Sequence, residues 1–555
     1  MRQPRLGSSL WNTHVQCVAM FASTLQRPER DIGANTGQRH SRAPLRLTRC
    51  GSHTASARDG GVSRHRSVVT RLLAAAVAAA GLAACAVGPD FERPEVAPSA
   101  AYRVAEDSST SAAGAASAAS ESAASAHAQR FIPGVNPVDE WWTVFASPGL
   151  DAVVRDAVSR NHTLAAAQAT VAEARELVKA EAGSRYPQLS LDGGAGRQRY
   201  GTEFLGPLVN NLPTYSYVSA GVAAQYRVDY LGGITRSVEQ REALAQYRRS
   251  EADATYLSLT GSVVAEAMQV AAAHAQMQAV EELLAEDRSN LDLVRTAFTN
   301  GSVSRVDVLT AESQLAADEV LLPPLRQQLA VARHALAVLT AHAPGEWMPP
   351  DFSLSALTLP KQLPVSLPSE LAHRRPDILA AEAQLHAATA AVGIATANLY
   401  PQITLTATGG WQSLPEQTLF AHSNAAWSLI SGITAPLFDG GTLRAERRAA
   451  VDELRASAAR YQEVVLESFG QVADVLDALT HDGQLVAAQS DALASATSNV
   501  ELARESYAAG ESGILQVIDS QRRRLDAQVG FLRAEEQQYL DTTQLFLALG
   551  GSNKL

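Results

Sequence analysis

Tyr186-Pro187-Gln188-Leu189-Ser190-Leu191 and Tyr400-Pro401-Gln402-Ile403-Thr404-Leu405 are two versions of one phrase, and what each one separates decides the fold. Before each lies a long alanine-rich segment with helical patterning; after each, apolar and polar residues alternate. Proline disfavours the helical conformation at the residue before it, and strict alternation suits a pleated strand. The two prolines are 214 residues apart, and at that offset Leu164 meets Ile378, Ala166 meets Ala380 and Leu191 meets Leu405. Gly232-Gly233 meets Gly440-Gly441 at an offset of 208, so the first copy carries six extra residues between its strand patterns, where hairpin loops absorb insertions. Phe298-Thr299-Asn300-Gly301 with Val306-Asp307-Val308-Leu309 meets Tyr507-Ala508-Ala509-Gly510 with Leu515-Gln516-Val517-Ile518 at 209. The chain is a tandem repeat of helix, hairpin, very long helix, glycine turn and helix.

The hairpins have the dyad of a membrane strand. Val218, Ala220, Val222, Ala224, Tyr226 and Val228 share one face, opposite Ser219, Gly221, Gln225, Arg227 and Asp229. In the second copy Ile403, Leu405, Ala407 and Trp411 oppose Gln402, Thr404, Thr406 and Thr408. The fourth strand is less regular: Trp427, Leu429, Ile433 and Leu437 share a face with Ser431, while Ile430 lies opposite. Tyr186, Tyr200, Tyr215, Tyr400, Trp411 and Trp427 fall near strand ends, where interfacial aromatic girdles sit.

No proline interrupts the helical pattern from about Thr235 to Phe298 or from about Thr442 to Tyr507. At 1.5 Å per residue each segment spans roughly 95–100 Å, wider than a globular domain. Each ends at a glycine, Gly301 or Gly510, and reverses into a second helix, expected over Arg305 to His342 and Ile514 to Leu549. Pro323-Pro324 must kink or break the first of these. A single helix is also expected from about Ala152 to Arg185, and Trp141-Trp142 with Phe145 reads as an aromatic anchor packing the preceding arm onto the body. Pro344 to Pro368 is proline-rich and non-helical, and Arg374-Arg375-Pro376-Asp377 opens the next helix, with proline in the first turn and a carboxylate at the positive helix end.

The N-terminal region has a different character. Residues 1–61 are rich in arginine, lack lysine and show no periodicity, which reads as a leader or an upstream extension outside the native protein. Residues 62–84 read as a signal peptide: Arg64-His65-Arg66, the short apolar run Leu72 to Ala80, then Leu82-Ala83-Ala84 before Cys85. That last stretch resembles the lipobox of bacterial lipoproteins, which implies a lipid on the Cys85 thiol. Ala86 in the following position fits sorting to the outer membrane. Residues 85–140 then form an arm whose Ala/Ser tract, Ser108 to Ala128, reads as a tether.

Composition excludes several functions. The net charge is −11, but residues 1–84 hold twelve arginines against three acids, leaving the rest at −20, which argues against a nucleic-acid partner. The three cysteines, at 17, 50 and 85, offer no disulfide framework to a chain processed at Cys85. There is no HExxH, GxSxG or P-loop, and the thirteen histidines lack ligand spacing, so neither an enzyme nor a metal or other cofactor is expected beyond the covalent lipid. Gly193-Gly194-Ala195-Gly196 lies in a strand pattern with no helix after it, so it is not a nucleotide loop. A structural periplasmic coiled-coil lipoprotein is the alternative from another class, and the paired hairpins argue against it.

The sequence resembles the TolC-like outer-membrane efflux family, in its NodT/OprM-type lipoprotein branch associated with RND pumps. The matching residues are Cys85 to Pro94, Trp141-Trp142, Gly301 to Leu315, Leu322-Pro323-Pro324-Leu325, Leu367-Pro368-Ser369-Glu370-Leu371, Arg374-Arg375-Pro376-Asp377-Ile378 and Pro436-Leu437-Phe438-Asp439-Gly440-Gly441. The resemblance implies a mainly α protein with a membrane β-barrel. Four strands and long coiled helical hairpins per chain would assemble as a trimer into a twelve-stranded barrel above a periplasmic α-barrel. Closure requires the same: four strands leave unpaired backbone in lipid, and three copies supply twelve. On this reading residues 141–345 and 369–551 are the two repeats, joined by a linker over 346–368. The function implied is the exit duct of a tripartite efflux system in the outer membrane, lipid-anchored and extending into the periplasm. Small molecules such as drugs would pass from an inner-membrane RND pump and a periplasmic adaptor. A type I secretion duct is the alternative within transport.

Geometry puts the glycine turns at the end of the long helices far from the hairpins, so Gly301, Ser302, Gly510 and Glu511 are expected to be adaptor-docking tips. Asp307 and Asp519 follow the two turns by six and nine residues, and threefold symmetry would make each a ring of carboxylates. The resemblance places an aspartate at Asp519 on the periplasmic constriction, while the family's other acidic position falls at Gln516 here. Both aspartates also suit a plainer role, as solvated charges or first-turn carboxylates.

Overall fold

The computed structural model describes residues 86–94, 102, 129–199, 214–414 and 416–551. These residues belong to the unit Leu73–Leu555; the unit Met1–Leu72, the leader through Cys85, the Ala/Ser tract and Tyr200 lie outside the described residues.

Each repeat begins with helices and ends with a long helical hairpin. The first copy runs α1 (Pro148–Arg160), α2 (His162–Gly183), β2 (Gln188–Gln198), β3 (Tyr215–Val228), α3 (Gly233–Thr299), α4 (Arg305–Glu319) and α5 (Leu322–Leu339), after a short strand β1 (Arg130–Pro133). The connection holds β4 (Gln362–Val365) and α6 (Pro368–Leu371). The second copy runs α7 (Pro376–Ala397), β5 (Gln402–Ser413), β6 (Ala425–Thr434), α8 (Thr442–Ala508) and α9 (Ile514–Ala548). Both long helices, α3 and α8, are 67 residues, about 100 Å each. Their starts are fixed by carboxylates: Asp229 accepts from the Ile234 and Thr235 backbone N–H groups, and Asp439 from those of Gly441 and Leu443.

Several elements differ from the sequence expectation. The single helix expected over 152–185 is two, because Asn161 leaves the helical conformation and caps both pieces. Its backbone N–H closes α1 onto Ala157, its Oδ1 accepts from the Thr163 and Leu164 N–H groups, and its amide donates to the Leu339 carbonyl. The returning helix expected over 305–342 breaks at Val320-Leu321, and Pro323-Pro324 opens α5. Proline lacks the N–H that would bond back across that point. Its counterpart α9 is unbroken over 35 residues. Leu437 is not on the fourth strand: β6 stops at Thr434, and Leu437 lies in the connection to α8.

The proline-rich stretch contributes more than a connection. Its β4 pairs in parallel with β1 of the N-terminal arm, Phe131 beside Leu363, and Phe352, Leu354, Leu357 and Leu359 are buried in the largest core cluster. That cluster also takes Trp141, Trp142 and Phe145, with Trp141 stacked on Phe546 at 5.5 Å between ring centres, so the aromatic trio does anchor the arm. Among the described helices only α7 is long and apolar enough to cross a membrane, and more than half of it is buried against its neighbours.

Arg375 ties the second repeat together. Its buried guanidinium forks onto both Asp377 oxygens at 2.6 and 3.0 Å, and also donates to the Ala548 carbonyl at 3.0 Å and Gln471 Oε1 at 2.8 Å. One side chain thus joins the start of α7 to α8 and to the end of α9. Arg375→Ala is expected to destabilise this junction by on the order of 2–3 kcal/mol, because the buried Ala548 carbonyl loses a charged donor and the link to Asp377 and Gln471 is cut. Arg375→Lys should recover only part, lacking the fork. Thermal unfolding of the purified protein checks this; an unchanged midpoint for Arg375→Ala would contradict it.

Candidate functional site

The strand order is β2-β3-β5-β6, all antiparallel. Paired residues in an antiparallel sheet lie on one face, so the register tests whether the alternation in each strand agrees with its neighbours. It does. Leu191 lies beside Val222, Val222 beside Gly409, and Gly409 beside Trp427; one pair along, Leu189, Ala224, Ala407 and Leu429 form a second row. The other face carries Gln188, Gln225 and Thr406 in one row and Ser190, Ala223, Thr408 and Ser428 in another. Thr408 and Ser428 hydroxyls meet at 2.7 Å. Ile430 continues the Gln188 row and is the apolar intruder on the polar face.

No described residue covers the apolar face. Leu191 is 82% exposed and Trp427 83%, with Leu189, Leu429 and Ile433 also exposed. Neither β2 nor β6 has a second partner among the described residues, so both outer edges of the sheet carry unpaired backbone groups. The middle is tight: a Cβ on Gly410 would stand 2.5 Å from the Ala220 carbonyl oxygen, which restricts that position to glycine.

The two glycine turns are built alike. Gly301 and Gly510 adopt φ of +73° and +76°. The Ser302 N–H bonds back to the Ala297 carbonyl, and the Glu511 N–H to that of Ser506, each at 2.9 Å. This is the left-handed helix ending that glycine permits. A cluster including Leu291, Val294, Val308, Ala503, Ile514 and Val517 packs the two turns' flanking helices against one another. Thus Gly301, Ser302, Gly510 and Glu511, distant in sequence, occupy neighbouring tips.

The aspartates beyond the tips have local partners. Asp307 completes a capping box: its Oδ2 accepts from the Ser304 N–H and hydroxyl, each at 2.8 Å, while the Ser304 oxygen accepts from the Asp307 N–H. These hydrogen bonds from Ser304 hold the Asp307 carboxyl below its usual range. Asp519 is exposed and pairs with Arg523 at 2.9 Å, one turn on.

The N-terminal strap was legible only as an extended stretch. The Val87 N–H donates to the Leu231 carbonyl at 2.9 Å, Phe91 stacks on His386, Arg93 bonds Glu382 at 2.7 Å, and Asp90 pairs with the buried Arg236. Gly88 lies so close to Gly393 that a Cβ would stand 2.5 Å from its Cα. Ala86 rests on Gly232, at the turn where β3 gives way to α3. Cys85 itself lies outside the described residues, but its neighbour is fixed beside the sheet. What the sequence reading missed is this docking, because its partners are supplied by the start of α3 and by α7.

An amphipathic four-stranded sheet carried on long helical hairpins is the architecture of an outer-membrane channel protein. Residues 153–342 and 367–551 match the outer membrane efflux protein family, and the chain belongs to that family. The pyoverdine export outer membrane protein OpmQ of Pseudomonas putida KT2440 is 30% identical over 75% of this chain and 88% of its own length. The probable outer membrane lipoprotein SilC of Salmonella typhimurium is 26% identical over 76% of this chain and 90% of its own. Among solved structures, the outer-membrane channel OprN superposes with a TM-score of 0.75 at 25% identity, covering 84% of this chain and all of that one. The protein is an outer-membrane efflux channel. A purely structural coiled-coil lipoprotein is set aside.

Ser304→Ala is expected to cost about 1 kcal/mol of local helix stability. Because the folded Asp307 carboxyl titrates below its unfolded value, its capping contribution is complete above the ordinary carboxylate range and is lost as pH falls through the folded value. Amide exchange over residues 304–310 should therefore speed up in Ser304→Ala and, in the wild type, show reduced protection at acid pH. Equal protection in both proteins at neutral pH would refute the cap.

Proposed function

We propose that three copies of this chain close their sheets edge to edge into a twelve-stranded barrel in the outer membrane, continued into the periplasm by a tube of the long helices. The observation that carries this is the sheet with an exposed apolar face and two unpaired edges. In lipid such edges must be satisfied, and four strands are too few to close alone. The polar face then lines the water path.

The remaining parts follow from their placement. Cys85, preceding the strap that rests beside the sheet, carries the lipid anchor at the periplasmic rim of the barrel. The paired tips at Gly301, Ser302, Gly510 and Glu511 dock on a periplasmic adaptor that connects the duct to an inner-membrane RND pump. Relatives named for pyoverdine export and for solvent efflux support small molecules as cargo. Asp519 is the better candidate for a carboxylate ring at the constriction, since Asp307 is occupied in capping its own helix.

Metabolic labelling with a fatty acid should mark the wild type and not Cys85→Ser, and labelling of both or of neither removes the anchor from this scheme. In planar bilayers Asp519→Ala should lower cation selectivity or divalent-cation block. Unchanged conductance properties in a correctly assembled trimer would take Asp519 off the constriction. Chemical crosslinking that yields only dimers, or no oligomer, in membranes would overturn the twelve-stranded barrel.

A further inference from the structure

The most costly groups in the helical body are two aspartates that no channel role requires. Asp287 of α3 is 4% exposed and Asp318, near the end of α4, is 1% exposed. Residues one position on, Arg288 of α3 and Glu319 of α4, pair at 3.1 Å, so the two aspartates sit where α3 and α4 run side by side. Gln314 donates to Asp318 Oδ2 at 2.7 Å, and Arg522 of α9 stands 3.4 Å from Asp318 Oδ1. Even so, Asp287 Oδ2 and Asp318 Oδ1 are both buried without a hydrogen-bond donor. Two carboxylates present only acceptors to each other, so an unprotonated pair leaves these oxygens orphaned and adds like-charge repulsion in a site shielded from water.

One proton removes both penalties. It turns one carboxyl into a donor, supplies the missing hydrogen bond and leaves a single negative charge for Arg522 to balance. The neighbouring charges do not supply an alternative donor: Arg504 of α8 and Arg524 of α9 are engaged by the Glu286 carboxylate at 3.0 Å each, and Arg288 pairs with Glu319 at the surface. Next to the pair, Asn290 bonds Gln521 at 2.6 Å, a neutral link between α3 and α9.

We propose that Asp287 takes up a proton where it is buried beside Asp318 and so forms a pH-operated latch that holds the end of α4 to α3. The latch sits beside the break between α4 and α5, where Leu321 bonds back to the Asp318 carbonyl, and about 18 Å from the Gly301 tip. Burial above all, then the facing Asp318 charge and its hydrogen bond, push Asp287 up to about 7, with Glu286 adding to the rise and Arg522 opposing it. The folded value lies above the unfolded one, so the latch is fully closed below the ordinary carboxylate range and opens as pH rises through about 7. Buried Asp482 of α8 beside half-buried Asp541 of α9 is a related arrangement, with Asp482 also pushed up to about 7 by burial and by its neighbour.

The test is amide exchange on the full-length protein, expressed as protection factors so that the intrinsic pH dependence cancels. Between about pH 5.5 and about pH 8.5, protection over residues 283–291 and 314–322 should fall by at least about tenfold in the wild type. In Asp287→Asn, whose amide donates at any pH, protection should stay high and flat. A flat wild-type profile, or a fall retained in Asp287→Asn, overturns the proposal. If Asp287→Asn fails to assemble, Asp318→Asn takes its place, and infrared spectroscopy reads the proton directly. The wild-type-minus-variant spectrum should show a carboxylic acid C=O band at about pH 5.5 that is gone at about pH 8.5. Absence of that band at the lower pH would equally overturn it.

Discussion

Unpaired backbone in hydrocarbon is the constraint on which the rest of this protein depends. Each unsatisfied N–H or C=O there costs several kcal/mol, so a sheet with free edges cannot remain in a bilayer. The chain builds four strands whose apolar residues line up in rows from Leu191 to Trp427 and from Leu189 to Leu429, but among the described residues β2 and β6 are left open. Everything at the other end of the molecule is scaled to that sheet. Two hairpins supply two long helices, and each long helix begins within a few residues of a strand end, so a fixed number of helices descends from a fixed number of strands.

Much of this was legible because glycine and proline punctuate the chain at its changes of direction. Pro187 and Pro401 marked the helix-to-strand switch, Gly301 and Gly510 the helix reversals, and the long helices end within two residues of where the pattern stops. The exceptions share a cause. Asn161 is an ordinary residue in a helical pattern until its side chain finds the Leu339 carbonyl, a contact made far along the sequence. β1 and β4 are four residues each, too short to show a period, and they exist because each is the other's partner. Leu437 keeps the alternation of β6 beyond the point where the β5 partner ends.

The site residues divide in the same way. Features set by local backbone, such as the tips and the capping carboxylates, can be read from a few consecutive letters. The buried acid pair cannot. Aspartate is commonplace on a helix surface, and nothing within a turn of Asp287 or Asp318 distinguishes a solvated charge from one enclosed between α3, α4 and α9. Arg375 was visible in the Arg374-Arg375-Pro376-Asp377 phrase as a helix start, yet its carbonyl partner Ala548 comes from the last helix of the chain.

The strap from Ala86 to Pro94 has a consequence for the order of assembly. Synthesis delivers these residues before the body they rest on, but their partners Glu382, His386 and Gly393 belong to α7, well into the second repeat. The first part of the body to emerge is therefore among the last to find its place. Until α7 has been made and packed, the strap has only its first-repeat partners Leu231, Gly232 and Arg236, and its complete seating then marks a chain whose two halves have come together.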